Sequence, residues 1–275
     1  MNMMHKVTLS PDSGCNTPDQ VILDQVYLNI RRGLPQAQPY QPNNMTALLV
    51  CGGPSLESTQ QELVQAYWEG GKIIAVNGAY QWCIENNLKP SAAIVLDARE
   101  FNSRFIEREV PGCKYLLASQ CHPTTFELCR SRETIIWHAC TGGDDEVALL
   151  KEYYFDRTHP VTLGTTVGVR AISLMRMLGW QHFDIFGLDS CWLDGRHHAY
   201  GQAENDRDLR IKVRLIAKGG EHLAEEFHCA PWHMKQAEDF QQLIKARGNM
   251  FHLNVRGPGL IAAILRTGAT LAKEN

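Results

Sequence analysis

Several short apolar runs of this sequence end in a side chain that could take part in chemistry. A carboxylate in such a position can hold Mg²⁺, bind a ribose hydroxyl or act as a base. The amide of Asn77 can bind a phosphate, a ribose or the edge of a base, although Asn before Gly is also a usual turn former. The polar residues that end these runs are Asn77, Asp97, Ser119 and Asp189, the last of them after Gly187.

Asp97 and Asp189 each have a structural interpretation beside the chemical one. Either carboxylate could cap the helix that follows it, and Asp97 could form an ion pair with Arg99. The two interpretations have equal weight for Asp97. For Asp189 the sequence favours a functional role, because a polar and aromatic stretch follows it directly.

Two glycine-containing turns could bind anions. The first follows the apolar run 47–51. Its proline stands where a helix needs no N–H donor, so the turn directs the free N–H groups of a helix start towards the end of a strand. The second turn opens another helix with two hydroxyl side chains, which are also usual helix caps. Together the turns could hold a diphosphate, or a phosphate and a carboxylate. Their residues are Gly52, Gly53, Pro54 and Ser55 in the first turn, and Thr165, Thr166 and Gly168 in the second.

Histidines and aromatic residues are concentrated after Asp189. His197 and His198 are adjacent and lack the i,i+4 spacing that places two ligands on one helix face, so a structural zinc site is not expected. His228 or His233 could act as a general base or contact a phosphate, although a surface position is the commoner outcome for any single histidine. Aromatic side chains here could stack on a base or a pterin ring, or simply close over the core. The aromatic residues concerned are Trp192, Tyr200 and Trp232.

The scaffold for these residues follows from the alternation of apolar runs and helical patterns. Strands that alternate with helices predict a mostly parallel sheet with helices on both faces, the Rossmann-like α/β class. Such sheets bind ligands beyond the carboxyl ends of their strands, where the polar residues above are placed. The predicted strands are 47–51, 72–76, 92–96, 115–118, 134–137, 183–186 and 251–253. The predicted helices are 21–32, 59–69, 79–87, 125–129, 163–178, 231–247 and 259–265, with loops at 141–145 and 156–160.

The chain divides into an arm and one large domain. Residues 1–45 are polar and proline-rich, with one helical segment, and we expect this N-terminal arm to pack on the core or on a partner subunit of a homo-oligomer. Residues 46–275 form the predicted Rossmann-like domain. Within it, residues 190–230 are polar and lose apolar periodicity, so they are predicted to be an active-site flap or small lobe.

Composition excludes several classes of protein. The chain has 275 residues with a formal net charge of −3, which argues against a large nucleic-acid interface. No apolar run approaches the roughly 20 residues that span a bilayer, and residues 1–12 lack the apolar core of a signal peptide. Nine cysteines without a Cys-x-x-Cys motif are typical of reduced, buried thiols, so a cytoplasmic location is expected.

Four segments resemble the MptE-like family, the 6-hydroxymethylpterin diphosphokinase-like proteins. They are Leu-Val-Cys-Gly-Gly-Pro-Ser-Leu at 49–56, Ala-Val-Asn-Gly-Ala at 75–79, Ile-Val-Leu-Asp-Ala at 94–98, and Gly-Thr-Thr-Val-Gly with Leu-Gly-Trp and Asp-Ile-Phe-Gly-Leu-Asp between 164 and 189. The likeness covers about residues 46–265. It implies a transferase that moves a diphosphate from ATP to 6-hydroxymethyl-dihydropterin with Mg²⁺. The two glycine-containing turns would hold phosphates, and Asp97 and Asp189 would hold the metal.

The family is also similar to bacterial sialyltransferases that use CMP-sialic acid. The resemblance places residues 52–55, Asn77 and residues 187–189 at their binding motifs, and His228 or His233 at their catalytic histidine. Trp192 and Tyr200 fall near two tyrosines of the sialyltransferase site. This chain lacks the Asn of their glycine loop, since Cys51 precedes Gly52, and it has one hydroxyl fewer before the long helix.

Three functions therefore stay open. The first is a nucleotide-dependent transferase that moves diphosphate from ATP to a small hydroxymethyl acceptor. The second is a glycosyltransferase that takes a CMP-sugar and needs no metal, with a histidine that deprotonates the acceptor. The third is a nucleotide-binding protein that has kept the fold without the chemistry. Dependence on Mg²⁺ separates the first two.

Overall fold

A computed structural model describes residues 17–141, 143–155, 157–202, 204, 208–247 and 251–271. The strands within these ranges are β1 (Asn43–Val50), β2 (Lys72–Val76), β3 (Ala92–Val95), β4 (Lys114–Ala118), β5 (Thr134–Trp137), β6 (Trp180–Phe186), β7 (Ile211–Ile216), β8 (His222–Cys229), β9 (His252–Val255) and β10 (Thr270–Leu271). The helices are α1 (Asp19–Ile30), α2 (Leu56–Trp68), α3 (Ala79–Glu85), α4 (Pro123–Leu128), α5 (Gly143–Tyr154), α6 (Val167–Met177), α7 (Pro231–Arg247) and α8 (Leu260–Thr267), with a 3₁₀ helix at Glu100–Ile106.

Seven strands form one sheet in the order β5-β4-β3-β2-β1-β6-β9, and every neighbouring pair is parallel. Side chains such as Leu48 and Leu49 in β1 are fully buried, because helices cover both faces of a sheet of this kind. The predicted Rossmann-like α/β fold is confirmed. The strand order reverses between β1 and β6, and the crevice at such a reversal is where doubly wound sheets bind ligands.

A second, antiparallel sheet of order β10-β7-β8 lies in and beyond the predicted flap. The loss of periodicity expected over residues 190–230 is wrong for β7. In that strand Val213 and Leu215 are buried, whereas Lys212 and Arg214, which alternate with them, are exposed. This strict alternation is the signature of a strand with one buried face, and the sequence already contained it.

The loop predicted at 141–145 is instead largely the first turn of α5, which begins at Gly143. Asp144, Asp145 and Glu146 occupy that turn, where carboxylates are stabilised by the positive end of the helix dipole. The run of acidic residues after a Gly pair was therefore a helix-start signal. Residue 142, and residue 156 of the second predicted loop, lie outside the described residues.

Helix α1 covers one half of the carboxyl edge of the large sheet. The Asn29 amide donates to the carbonyl oxygens of Ser119 (2.9 Å) and Cys121 (2.7 Å) after β4. The Gln25 amide donates to the Ala98 carbonyl oxygen after β3 at 3.1 Å. The arm helix thus packs on this chain and closes the edge above β3 and β4, while residues 1–16 of the predicted arm lie outside the described residues.

Candidate functional site

A cavity of about 120 Å³ lies beyond the carboxyl ends of β1 and β6, at the reversal of the strand order. Its walls come from the turn after β1, the start of α6, the turn after β6 and the start of α7. Among the predicted site residues, those that line it are Gly52, Gly53, Thr166, Gly168, Gly187, Asp189 and His233. The sheet therefore brings together residues from four separate parts of the sequence.

In the turn after β1, N–H groups that were predicted to bind phosphate instead bind oxygen atoms of the protein. Ser55 N–H donates to Asp189 Oδ2 at 2.8 Å, and Gly53 N–H donates to the carbonyl oxygen of Gly187 at 2.8 Å. A Cβ at position 53 would overlap Asp189 Oδ2, and one at position 259 would lie 2.7 Å from Oδ1. Gly53 and Gly259 thus leave room for a carboxylate of the protein at the start of α2, where an external anion was expected.

Burial raises the pKa of Asp189 to about 6, although the hydrogen bond from Ser55 opposes the shift. Oδ1 is buried and has no hydrogen-bond partner among the described residues. A buried carboxylate with one unpaired oxygen destabilises the charged form. The packing favours a structural role for Asp189, that of joining α2 to the end of β6, and its predicted catalytic role stays a prediction.

We expect Asp189→Asn to remove a pH-dependent loss of stability. Between its ordinary pKa of 3.8 and about 6 the folded protein binds more protons at Asp189 than the unfolded chain does, so the free energy of unfolding falls as pH rises through this window. The shift corresponds to roughly 3 kcal/mol. Urea unfolding of both proteins from pH 4 to 7.5 measures the difference. The exposed Asp194→Asn is the control, and an Asp189→Asn slope equal to that of the parent would contradict the assignment.

The start of α6 is held by side chains of α7. Asp239 Oδ2 accepts from both the N–H and the hydroxyl of Thr165, each at 2.7 Å. Gln236 Nε2 donates to Thr166 Oγ1 at 2.5 Å. Thr166, Val167 and Gly168 then line the cavity, at a helix end whose first N–H groups have no partner within the helix. The anion site predicted at this helix start stays a prediction, whereas at the start of α2 the N–H of Ser55 already binds Asp189.

His233 lies in the first turn of α7 and is 2% exposed. Its Nδ1 accepts the backbone N–H of Ala230 at 3.0 Å, so the neutral ring carries its proton on Nε2. Burial, with smaller contributions from His197 and His198, lowers the pKa of His233 to about 3. His233 lines the cavity as a neutral ring. Its Nδ1 lone pair is taken by the N–H of Ala230 and its Nε2 carries the proton, so neither nitrogen is free to take a proton as a general base.

His228, the alternative to His233, lies on the exposed face of β8. Its Nε2 is 3.9 Å from Glu226 Oε1, and its carbonyl oxygen accepts the N–H of Trp192 at 2.7 Å. The side chain is not among those that line the cavity. Of the two candidate histidines, the structure places only His233 at the site.

The loop 195–202 covers the part of the carboxyl edge above β1 and β2. Ala199 N–H donates to the Gly52 carbonyl oxygen at 3.0 Å, and the ring of Tyr200 lies against Gly52 and Gly78. A Cβ at position 78 would be 2.6 Å from the Tyr200 hydroxyl, so these glycines permit the ring to approach. Arg196 forms a paired hydrogen bond with Glu57 of α2 at 2.5 and 2.6 Å. The ring of Tyr200 thus fills the space above Gly52 and Gly78, and Gly52 is also one of the residues that line the cavity.

Three more of the predicted residues lie away from the cavity, as His228 does. Asp97 is paired with Arg99 at 2.6 Å, as its structural interpretation required. Asn77 Oδ1 accepts the N–H of Leu96 at 3.2 Å, which links the ends of β2 and β3. Ser119 is fully buried beneath α1.

Asp97 and Asp189 do not fit a shared Mg²⁺ ion. They follow β3 and β6, which are separated by β2 and β1, and three strand spacings place them about 14 Å apart. Within the described ranges, His, Cys, Asp and Glu residues form no group of three that could hold a metal ion. The polar groups that line the cavity are instead rich in hydrogen-bond donors.

The two tryptophans lie at different depths. Trp192 is buried behind His197, with ring centroids 4.7 Å apart, and the Arg210 guanidinium lies 3.7 Å from its ring centroid. Trp232 lines the cavity and its ring centroid is 3.7 Å from that of His233. Trp232, in the first turn of α7, is therefore the better candidate to contact a ligand.

Gln236 is a site residue that the sequence analysis missed. It lies one helical turn after His233 and lines the same cavity. Residues at i and i+3 share a helix face, so the spacing from His233 could have found it. Glutamine has a neutral side chain without distinctive chemistry, so its residue type alone does not indicate a site.

Two features of the described chain bear on its environment. The described helices include none that is both long enough and apolar enough to cross a bilayer. Eight cysteines fall within the described residues and all are free thiols. The predicted cytoplasmic location and homo-oligomer stay predictions.

A parallel sheet with helices on its faces and a reversal of strand order defines a doubly wound α/β fold. The chain belongs to the 6-hydroxymethylpterin diphosphokinase MptE-like family, whose match covers residues 24–195. The resemblance found in the sequence is thereby confirmed. The match extends into α1, whereas α7 with His233 lies beyond it.

A solved glycosyltransferase structure shows the same fold. The MAf glycosyltransferase from Magnetospirillum magneticum AMB-1 aligns with a TM-score of 0.66 at 15% identity, over 92% of this chain and 39% of that one. This chain thus spans well under half of that glycosyltransferase. A mammalian sialyltransferase aligns with a TM-score of 0.38 at 8% identity, over 88% of this chain and 87% of its own. No curated protein matches the sequence.

Proposed function

We propose that this protein is a nucleotide-dependent transferase that binds a phosphate group of its donor at the start of α6. The observation that carries the proposal is the set of fixed hydrogen-bond donors around one end of the cavity. Val167 and Gly168 place backbone N–H groups there, and His233 places a neutral Nε2–H there. Groups that only donate select an anion.

The same donors suit the chemistry of a departing phosphate. In the reaction, the bond between the nucleotide and the transferred sugar or phosphoryl group of the substrate breaks. Negative charge then develops on the nucleotide phosphate. Donors already fixed by packing stabilise this charge without having to reorganise. His233 would donate one hydrogen bond to the phosphate, and Gly168 would allow the phosphate to come close to the helix start.

Glycosyl transfer from a nucleotide sugar is the reaction that this donor set supports best. The leaving group is then a nucleoside phosphate, whose charge hydrogen-bond donors can neutralise without a metal. The two aspartates predicted to hold Mg²⁺ are far apart, and each is already engaged, Asp97 by Arg99 and Asp189 by Ser55. A CMP-sugar is the donor to test first.

Diphosphate transfer from ATP is the second candidate, and membership of the MptE-like family favours it. In that case ATP would bring its own Mg²⁺, and the acceptor would be a hydroxymethyl group such as that of a pterin. A nucleotide-binding protein without catalysis is the third. All three functions require that a nucleotide phosphate binds at α6.

Calorimetry with CMP, CDP, AMP and ATP, each with Mg²⁺ or with EDTA, tests the proposal. We expect a cytidine nucleotide to bind and to raise the melting temperature equally in Mg²⁺ and EDTA, because a ligand that binds only the folded state stabilises it. ATP binding that disappears in EDTA would favour diphosphate transfer over glycosyl transfer. Binding of none of the four nucleotides would overturn the proposal as a whole.

A further inference from the structure

A chain of three side chains connects the end of β6 to the start of α6. The Ser190 hydroxyl donates to Gln236 Oε1 at 2.6 Å, and Gln236 Nε2 donates to Thr166 Oγ1 at 2.5 Å. Ser190 is buried and Gln236 is 7% exposed. The amide therefore bridges two of the turns that form the cavity.

The direction of these hydrogen bonds has a chemical consequence. An amide oxygen only accepts and an amide nitrogen only donates, and in the structure the Gln236 oxygen faces Ser190 while its nitrogen faces Thr166. Thr166 Oγ1 already accepts from Gln236, so its own proton is left for another acceptor. Thr166 lines the cavity, and its hydroxyl is thus set to donate into it.

We propose that Gln236 is a positioning residue, which holds the Thr166 hydroxyl so that it donates a hydrogen bond to the phosphate of the nucleotide substrate. This inference rests on the proposed function. Asp239 completes the arrangement, because it takes the N–H and the hydroxyl of Thr165 and is itself paired with Lys235 at 2.8 Å. The Thr165 hydroxyl is bound to Asp239, so the hydroxyl that can donate to the ligand is that of Thr166. Residues of α7, and not Thr166 alone, therefore determine that the Thr166 hydroxyl donates to the ligand.

The test is a double-mutant cycle with phosphate-bearing and phosphate-free probes. Gln236→Met keeps the size of the side chain and removes both hydrogen bonds, and Thr166→Val removes the hydroxyl. Each single variant is expected to bind CMP about tenfold more weakly, since a hydrogen bond to a charged group is lost. The double variant is expected to lose little more than either single variant, because Gln236 acts through Thr166.

Controls separate positioning from general damage to the fold. Binding of cytidine, which has no phosphate, is expected to be unchanged in the single variants if cytidine binds the parent. Gln241→Met is the matched control, since Gln241 lies on α7 and donates to the Ala269 carbonyl oxygen away from the cavity. If Gln236→Met fails to fold, Ser190→Ala removes the anchor of Gln236 and is expected to weaken CMP binding severalfold.

The outcomes distinguish this inference from the proposed function. If the parent protein binds none of CMP, CDP, AMP, ATP and inorganic phosphate, both the subsite and the role of Gln236 are overturned. If the parent binds CMP and the losses of the two single variants add in the double variant, only the role of Gln236 is overturned. Equal weakening of CMP and cytidine would likewise show a structural effect and not the positioning of a phosphate donor.

Discussion

Replacement of His233 by asparagine is expected to weaken nucleotide binding about tenfold to a hundredfold while the fold persists. The loss corresponds to one hydrogen bond to a charged group. Asparagine still offers an oxygen near the position of Nδ1, which can accept the N–H of Ala230 and keep the start of α7 capped. It offers no group at the position of Nε2. Calorimetry with CMP measures the effect, and His228→Asn is the matched comparison on the exposed strand β8.

The pH dependence of binding distinguishes a neutral donor from a charged histidine. With its pKa lowered to about 3, His233 stays neutral from pH 5 to 8, so the ratio of parent to His233→Asn affinity should be constant over that range. A ratio that grows below pH 6.5 would show that a protonated His233 binds the ligand. A loss in His228→Asn as large as that in His233→Asn would contradict the assignment of the site.

The same lowered pKa has a consequence for stability. In the unfolded chain His233 takes up a proton near its ordinary pKa of 6.5, whereas in the folded protein it does so only near 3. The unfolded state therefore binds more protons in this window, and the free energy of unfolding falls as pH drops from 6.5 to 3, by roughly 5 kcal/mol. Asp189 shifts stability in the opposite direction between pH 4 and 6, so His233→Asn should make the contribution of Asp189 easier to observe.

The inner strands β2, β3 and β4 of the large sheet could be predicted from the sequence because they are almost wholly buried on both faces. Runs such as the one ending at Val76 are short, apolar and closed by turn residues, and that combination is typical of strands in a parallel sheet. Helix α7 could be predicted from a local signal, since Pro231 stands at its first position. Bounds shifted by a few residues, as β1 shows by beginning at Asn43 in place of residue 47.

The position of the site along the edge of the sheet, unlike the strands themselves, could not be predicted from the sequence. Most of the predicted strands end in a polar residue, and the sequence does not say which ends are covered. Helix α1 closes the edge over Ser119, and the ring of Tyr200 closes it over Gly78. Helix α1 and Tyr200 are each distant in sequence from the strand ends that they cover. The ends of β1 and β6, with the starts of α6 and α7, remain to form the cavity.

The role of Asp189 shows why a residue type does not fix its chemistry. A carboxylate after a strand is a good candidate for catalysis on sequence grounds. In the structure its Oδ2 meets the N–H of Ser55, which gives the start of α2 the anion that a substrate was expected to supply. Whether a helix start is free or already occupied depends on packing between turns far apart in sequence.

Replacement of Arg170 by methionine is expected to destabilise the protein by about 3–5 kcal/mol, because each buried carbonyl group that loses its hydrogen-bond donor costs about 1–3 kcal/mol. Arg170 is buried in α6. Its Nε donates to the Gly164 carbonyl oxygen at 2.5 Å and its Nη1 to the Val161 carbonyl oxygen at 3.0 Å, and Nη1 also contacts the Ala139 carbonyl oxygen. The side chain thereby joins the end of β5 to the segment that leads into α6, and methionine would leave these carbonyl groups without a donor.

Urea unfolding measures this loss, and Arg176→Met on the same helix is the control. Arg176 is partly exposed and its guanidinium lies 6.0 Å from the ring centroid of Phe251, so its removal should cost less than about 1 kcal/mol. Arg170→Lys keeps the charge but not the planar set of donors, and we expect an intermediate loss. If Arg170→Met is no less stable than Arg176→Met, then Arg170 does not anchor the start of α6. If Arg170→Met folds, it should also bind CMP more weakly than the parent, because the helix start that meets the phosphate is held in place through Gly164.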